Sequence, residues 1–166
     1  MSKYLKIALA LQVLIMVSVL IPPMITKATG TEIFLETERV DPRALFRGDY
    51  VVLDYPIGDS IPMDLKLSAQ EKGSIIYVKV TTDRPAAFIS AELEKPSIEE
   101  GTACVVARTS EVNSWDGTAR VRFPQISQFF VPEGTGGDIE RDLNTMVAKM
   151  VTTKSCNAVL IDLEYL

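Results

Sequence analysis

Histidine is absent from the 166 residues, so the commonest general base and metal ligand is missing. Chemistry would fall to carboxylates, to a glycine-rich loop or to the cysteines. Glu133 and Glu140 are the acid pair that stands beside glycines in a polar stretch, and paired carboxylates are what glycoside hydrolysis needs. Gly134, Gly136 and Gly137 lie just before an expected helix start, where free backbone N–H groups can face an anion. No lysine follows these glycines, as a phosphate loop requires, and the alternative is a loop that simply caps the helix. Cys104 and Cys156 form a disulfide if the domain meets an oxidising compartment, or else stay as two buried thiols. No metal site, cofactor or catalytic residue is assigned.

These residues must be held by something, and the N-terminus says where. From Ile7 to Ile25 the only strongly polar residue is Gln12, about the length a helix needs to cross a bilayer core. Met1 to Lys27 holds Lys3, Lys6 and Lys27 and no acid; with a net charge of −5 for the whole chain, the remainder carries −8. Lysines before the apolar run and Glu32, Glu36 and Glu38 after it place the N-terminus in the cytoplasm and the domain outside. The rival reading is a signal peptide cleaved after Ala28, but the apolar run is longer than such peptides use. Pro22 and Pro23 are expected to end the helix, and Ser18 and Gln12 are placed to bond a partner helix. The acidic remainder repels phosphate, so no nucleic acid is expected as a partner.

Residues 1–28 therefore form a cytoplasmic stub and anchor, and residues 29–166 one β-rich domain. Alternation over Thr31–Val40 turns Ile33, Leu35, Thr37 and Arg39 inward. Further strands are expected over Tyr50–Tyr55, Ser74–Thr82, Ala86–Leu93, Thr102–Val112, Thr118–Phe123, Thr145–Thr153 and Asn157–Leu166. Asp116-Gly117 marks a tight hairpin, and Trp115 at its tip either contacts a partner or folds back onto the sheet. Phe129–Gly137 reads as an aromatic and glycine-rich segment, and Asp138–Asn144 as one short helix with an acid at its start. In the last strand Val159, Ile161, Leu163 and Tyr165 alternate against Leu160, Asp162 and Glu164. The fold class is mainly β, a sandwich or partly open barrel of about eight strands with one short helix, on an N-terminal transmembrane helix.

The most distinctive stretch is Gly48-Asp49-Tyr50-Val51-Val52-Leu53-Asp54-Tyr55. Gly48 permits a conformation closed to other residues, and Asp49 can bond the backbone two residues on. Tyr50, Val52 and Asp54 then share one face of a strand, and Val51, Leu53 and Tyr55 the other. One tyrosine packs inside while the other shows its ring. The motif is either purely architectural or the centre of a contact surface made by Tyr50, Asp54 and Arg43, since tyrosine and arginine often carry interface energy.

This stretch resembles the signature of the GDYxxLxY family of bacterial membrane-anchored proteins, in Gly48-Asp49-Tyr50, Leu53 and Tyr55. Asp41-Pro42-Arg43 with Leu45, and Phe130-Val131-Pro132-Glu133-Gly134 with Glu140, resemble its flanking blocks. The resemblance implies an exported domain on one membrane helix, often encoded beside multi-pass membrane proteins, and implies no activity. Pro42 to Val51 is also similar to a segment of membrane-anchored signal peptidases. There a serine nucleophile precedes the proline; here Glu38-Arg39-Val40-Asp41 stands instead, so the catalysis has no nucleophile.

The function expected is a non-catalytic, membrane-anchored extracytoplasmic module in the bacterial cytoplasmic membrane. It crosses once through residues 7–25 and binds or stabilises a multi-pass membrane protein. The alternatives are an envelope hydrolase using Glu133 and Glu140, and a filament or surface-assembly subunit.

Overall fold

A single helix, α1 (Lys3–Thr29), leads into the head of the molecule. The structure is a computed structural model that describes residues 3–39, 50–62, 72–113, 115 and 117–166. Helix α1 is long and apolar enough to cross a membrane, and it is apolar on every side, as a lipid-facing helix must be. It does not stop at Pro22-Pro23; both prolines lie inside it. The φ of proline already suits a helix, so the step costs two backbone donors and not the helical path. The ladder resumes beyond it, where Gly30 N–H donates to Thr26 O at 2.9 Å, and the Thr29 hydroxyl side chain adds a bond to Ile25 O at 2.9 Å.

Gly30 joins α1 directly to the first strand. A Cβ at this position would collide with the Val151 side chain and lie 2.7 Å from the carbonyl oxygens of Thr152 and Thr26. Backbone oxygens cannot step aside, so only glycine allows the helix to meet the sheet this closely. Thr26 is the buried residue of α1, and the end of the helix rests on the last two strands of the head.

The head is mainly β, a nearly closed, barrel-like arrangement. Among the described residues the strands are β1 (Thr31–Glu36), β2 (Glu38–Arg39), β3 (Tyr50–Asp54), β4 (Ile61–Pro62), β5 (Ile75–Thr81), β6 (Phe88–Glu92), β7 (Thr102–Asn113), β8 (Thr118–Arg122), β9 (Gln128–Phe130), β10 (Met146–Thr152) and β11 (Ala158–Tyr165). A short helix, α2 (Gly136–Asp142), precedes β10. The strands pair as β1-β10-β11, β2-β3-β9 and β4-β8-β7-β5-β6, and every pairing is antiparallel. Inward residues from all three groups, among them Ile33, Leu53, Ile76, Val105, Val121 and Met150, build one core.

That makes eleven strands among the described residues, where about eight are expected from sequence. Strands β2, β4 and β9 have two or three residues each, too short for an alternating pattern to register. The segment expected over Phe129–Gly137 thus opens with a strand, β9. The long first strand breaks at Thr37, whose hydroxyl donates to Leu143 O at 2.6 Å and Met146 O at 3.0 Å. The alternation in β11 also fails at one point. A register shift opposite Lys149 and Met150 leaves Ile161 as the extra residue, so Leu160 and Leu163 both pack on the core. The hairpin between β7 and β8 has Gly117 at φ +67°, as a tight turn demands. The turns expected over 40–49 and 63–71, and Asp116, lie outside the described residues.

Candidate functional site

The signature strand β3 is the middle member of its sheet, with β2 on one side and β9 on the other. Its inner face is made by Val51, Leu53 and Tyr55, all buried. Among the described residues Tyr55 is the largest fully buried side chain. Its hydroxyl donates to Ile126 O at 2.6 Å, and its ring stands edge-on to Phe123 with centroids 5.7 Å apart. Burial pushes the phenol well above its ordinary value of 10.0, and the neighbouring Asp54 carboxylate adds to the push. Near pH 10 the unfolded chain releases this proton while the folded one keeps it, so the folded state binds more protons and stability falls as pH rises further. The expected slope from this group is about 1.4 kcal/mol per pH unit. Comparing urea melts of wild type and Tyr55→Phe between neutral pH and pH 11 checks it: the wild type should lose more than the variant over that range, and parallel losses would refute it.

The outer face carries Tyr50, Val52 and Asp54. Tyr50 is half-buried and pairs across the strands with Phe130, ring to ring at 6.1 Å. Val52 is 40% and Phe130 76% exposed, so this face is an apolar surface ridge. Asp54 belongs to the same side by register but is no surface group. Its side chain is 10% exposed, because Arg120 and Arg122 close over it with guanidinium nitrogens 3.3 and 3.1 Å from Oδ2. Its Oδ1 accepts from the Tyr55 N–H at 3.1 Å. Arg120 Nε also lies 2.7 Å from Asp59 Oδ1, off the line of its N–H, as an ion pair. Asp54 is therefore a clamp that ties β3 to β8, and not the contact expected from sequence. Removing it leaves two guanidiniums facing each other. With the arginines still partly solvated, Asp54→Ala should cost about 2–3 kcal/mol, read as a lower urea midpoint; an unchanged midpoint would show the clamp to be idle.

Arg120, Arg122 and Asp59 carry no sequence signal that marks them. Two arginines on one face of β8 are two residues apart, a spacing that fits an ordinary solvated strand edge. Arg43, Gly48 and Asp49, also expected at this site, lie outside the described residues.

The second block joins the strand through Phe130, which pairs with Tyr50, while its glycines and acids lie beyond β9. Gly134 has φ +82° within a turn closed by Thr135 N–H to Pro132 O at 3.1 Å. Gly136 opens α2, where a Cβ would only touch Val131 at 3.7 Å. Glu133 is exposed and Glu140 half-buried, and neither lines the cleft beside Arg120, bounded by Asp59, Ser60, Glu111, Asn113 and Thr118. Among the described residues no cluster of acids and cysteines is arranged to hold a metal ion. Trp115 is 99% exposed at the hairpin tip, so it does not fold back onto the sheet.

Cys104 and Cys156 are joined by a disulfide with Cα atoms 4.8 Å apart. It links β7 to the turn between β10 and β11. Around it the Thr152 hydroxyl donates to Cys104 O at 2.5 Å and Val106 N–H to Cys156 O at 3.1 Å. Cys156 has φ 62°, a left-handed backbone uncommon for a residue with a side chain.

A β-built head set directly on one apolar helix, with the signature tyrosines split between core and surface, defines the class of protein. The chain belongs to the GDYXXLXY family: the model described as "GDYXXLXY protein" matches residues 12–163. No curated protein and no solved structure matches the chain.

Proposed function

We propose that this protein is a non-catalytic module of the bacterial cytoplasmic membrane that binds or stabilises a multi-pass membrane protein. Helix α1 crosses once, with the N-terminus inside and the head outside. The observation that carries the reading is the Gly30 junction: α1 runs into β1 without a linker, so whatever sits beside the helix also meets the head. The disulfide supports an oxidising compartment, and the lysine-first charge order supports the orientation. The ridge of Tyr50, Val52 and Phe130 offers apolar and aromatic area of the kind interfaces use.

The test is recovery of the partner from native membranes in mild detergent. Three forms are compared: the full chain, the chain with residues 7–25 replaced by an unrelated apolar span, and the chain with Val52→Ser and Phe130→Ser. The reading expects the full chain to bring down one integral membrane protein and at least one altered form to lose it. Failure of the full chain to retain any such protein overturns the reading.

A further inference from the structure

We propose that the diproline step of α1 is the docking point for a transmembrane helix of the partner, which donates a side-chain hydrogen bond to the backbone carbonyl of Val19. The inference deepens the membrane-partner reading and rests on it. In a helix the carbonyl of Val19 takes its bond from the N–H four residues on, or three residues on in a tighter turn. Those positions are Pro23 and Pro22, and neither has an N–H. Val19 therefore loses both helical donors at once. Ser18 differs, because Ile21 still offers it the tighter bond.

The place makes the loss matter. Lys6 and Lys27 bracket about 32 Å of helix at 1.5 Å per residue, which matches the hydrocarbon core. Val19 then lies about 12 Å inside that layer, where no water can serve a bare carbonyl and the cost is several kcal/mol. The nearest hydroxyl is already used: Ser18 Oγ donates to Ile15 O at 2.8 Å, and a serine has one proton to give. A neighbouring helix bearing a hydroxyl, amide or indole donor is what restores such a group in a membrane.

The head shows which side that neighbour takes. A cleft of about 550 Å³ opens where α1 meets the head, with Pro22, Thr26 and Thr29 on one wall and Thr153, Ser155 and Asn157 on the other. Pro22 is thus both the wall of the cleft and one of the two residues that strip Val19. Helical spacing carries the same face down through Val19, Ile15 and Leu11, while Val13, Val17, Leu20 and Met24 lie opposite. A helix lying along Leu11, Ile15 and Val19 reaches the cleft as it leaves the bilayer.

Two measurements on the full chain in its native membrane test this. The first places a photo-crosslinking residue at Leu11, Ile15, Val13 or Val17, one at a time. Adducts are expected from Leu11 and Ile15 and not from Val13 and Val17, with the attached peptide an apolar span containing Ser, Thr, Asn, Gln, Tyr or Trp. Equal labelling on both sides, or an adduct to a second copy of this chain, to lipid alone or to a span without such a donor, overturns the proposal. The second is the double variant Pro22→Ala/Pro23→Ala, which returns both N–H groups to Val19. Partner recovery should fall about three- to fifteen-fold, the range of one interhelical hydrogen bond, with membrane insertion and the disulfide intact. Unchanged recovery overturns the docking point and leaves the membrane-partner reading standing. If the unaltered chain recovers no partner, that reading fails first.

Discussion

Tyr55→Ala is expected to destabilise the head by about 4–5 kcal/mol, adding the loss of a buried aromatic ring to an unmet carbonyl. The ring is fully buried in the core that β3 shares with the other strand groups, so little around it is free to collapse into the space. The phenol also satisfies Ile126 O, in the segment that carries the chain from β8 to β9. Deleting it leaves a buried acceptor and loosens β9, the strand that holds β3 in place. Tyr55→Phe separates the two effects, since it keeps the ring against Phe123 and should cost only about 1–2 kcal/mol. Urea denaturation of both variants at neutral pH reads the difference. A Tyr55→Ala loss below that of Tyr55→Phe would mean the ring is not what holds the core. Domains of this size rest on roughly 5–15 kcal/mol, so the alanine variant should sit close to unfolding.

Loss of the disulfide is the second large effect. Cys104 and Cys156 are 52 residues apart in sequence, and closing a loop of that length is worth about 4 kcal/mol by the chain-entropy relation. The local structure points the same way. Cys156 is held at φ 62° in the turn between β10 and β11, a conformation costing a non-glycine residue about 1–3 kcal/mol, so the turn should relax first when the bridge is cut. Cys104→Ser/Cys156→Ser, or reduction of the unaltered chain, should lower the urea midpoint by an amount matching about 4 kcal/mol. Exchange of the Val106 amide, which donates to Cys156 O at 3.1 Å, should rise before that of Val78 in β5. Equal stability of the bridged and unbridged forms would refute the estimate.

Much of this was legible in the sequence where pattern is long. The apolar run of α1, the alternation of β1 and the β-branched run of β5 all read directly. So did the division of β3 into two faces with Tyr50 on one and Tyr55 on the other, because a period of two needs only five or six residues to show itself; which of the two turns inward is decided by the packing and was not marked. What stayed hidden depends on partners distant in the chain. Asp54 looks like any acid on a strand face until β8 brings Arg120 and Arg122 over it. Leu160 looks outward until a one-residue bulge turns it in. The helix continues past Pro22-Pro23 because proline removes donors without forbidding helical φ, and nothing local announces that the next turn is secured by Gly30 against β10.

The central claim is that helix and head together hold a membrane protein. Its most direct measurement is the size and composition of the complex extracted gently from native membranes, with the full chain present at its ordinary level. The account predicts that the chain migrates with one multi-pass membrane protein in fixed proportion across several mild detergents. A chain that migrates alone in its micelle under all of them, or only with copies of itself, would contradict it.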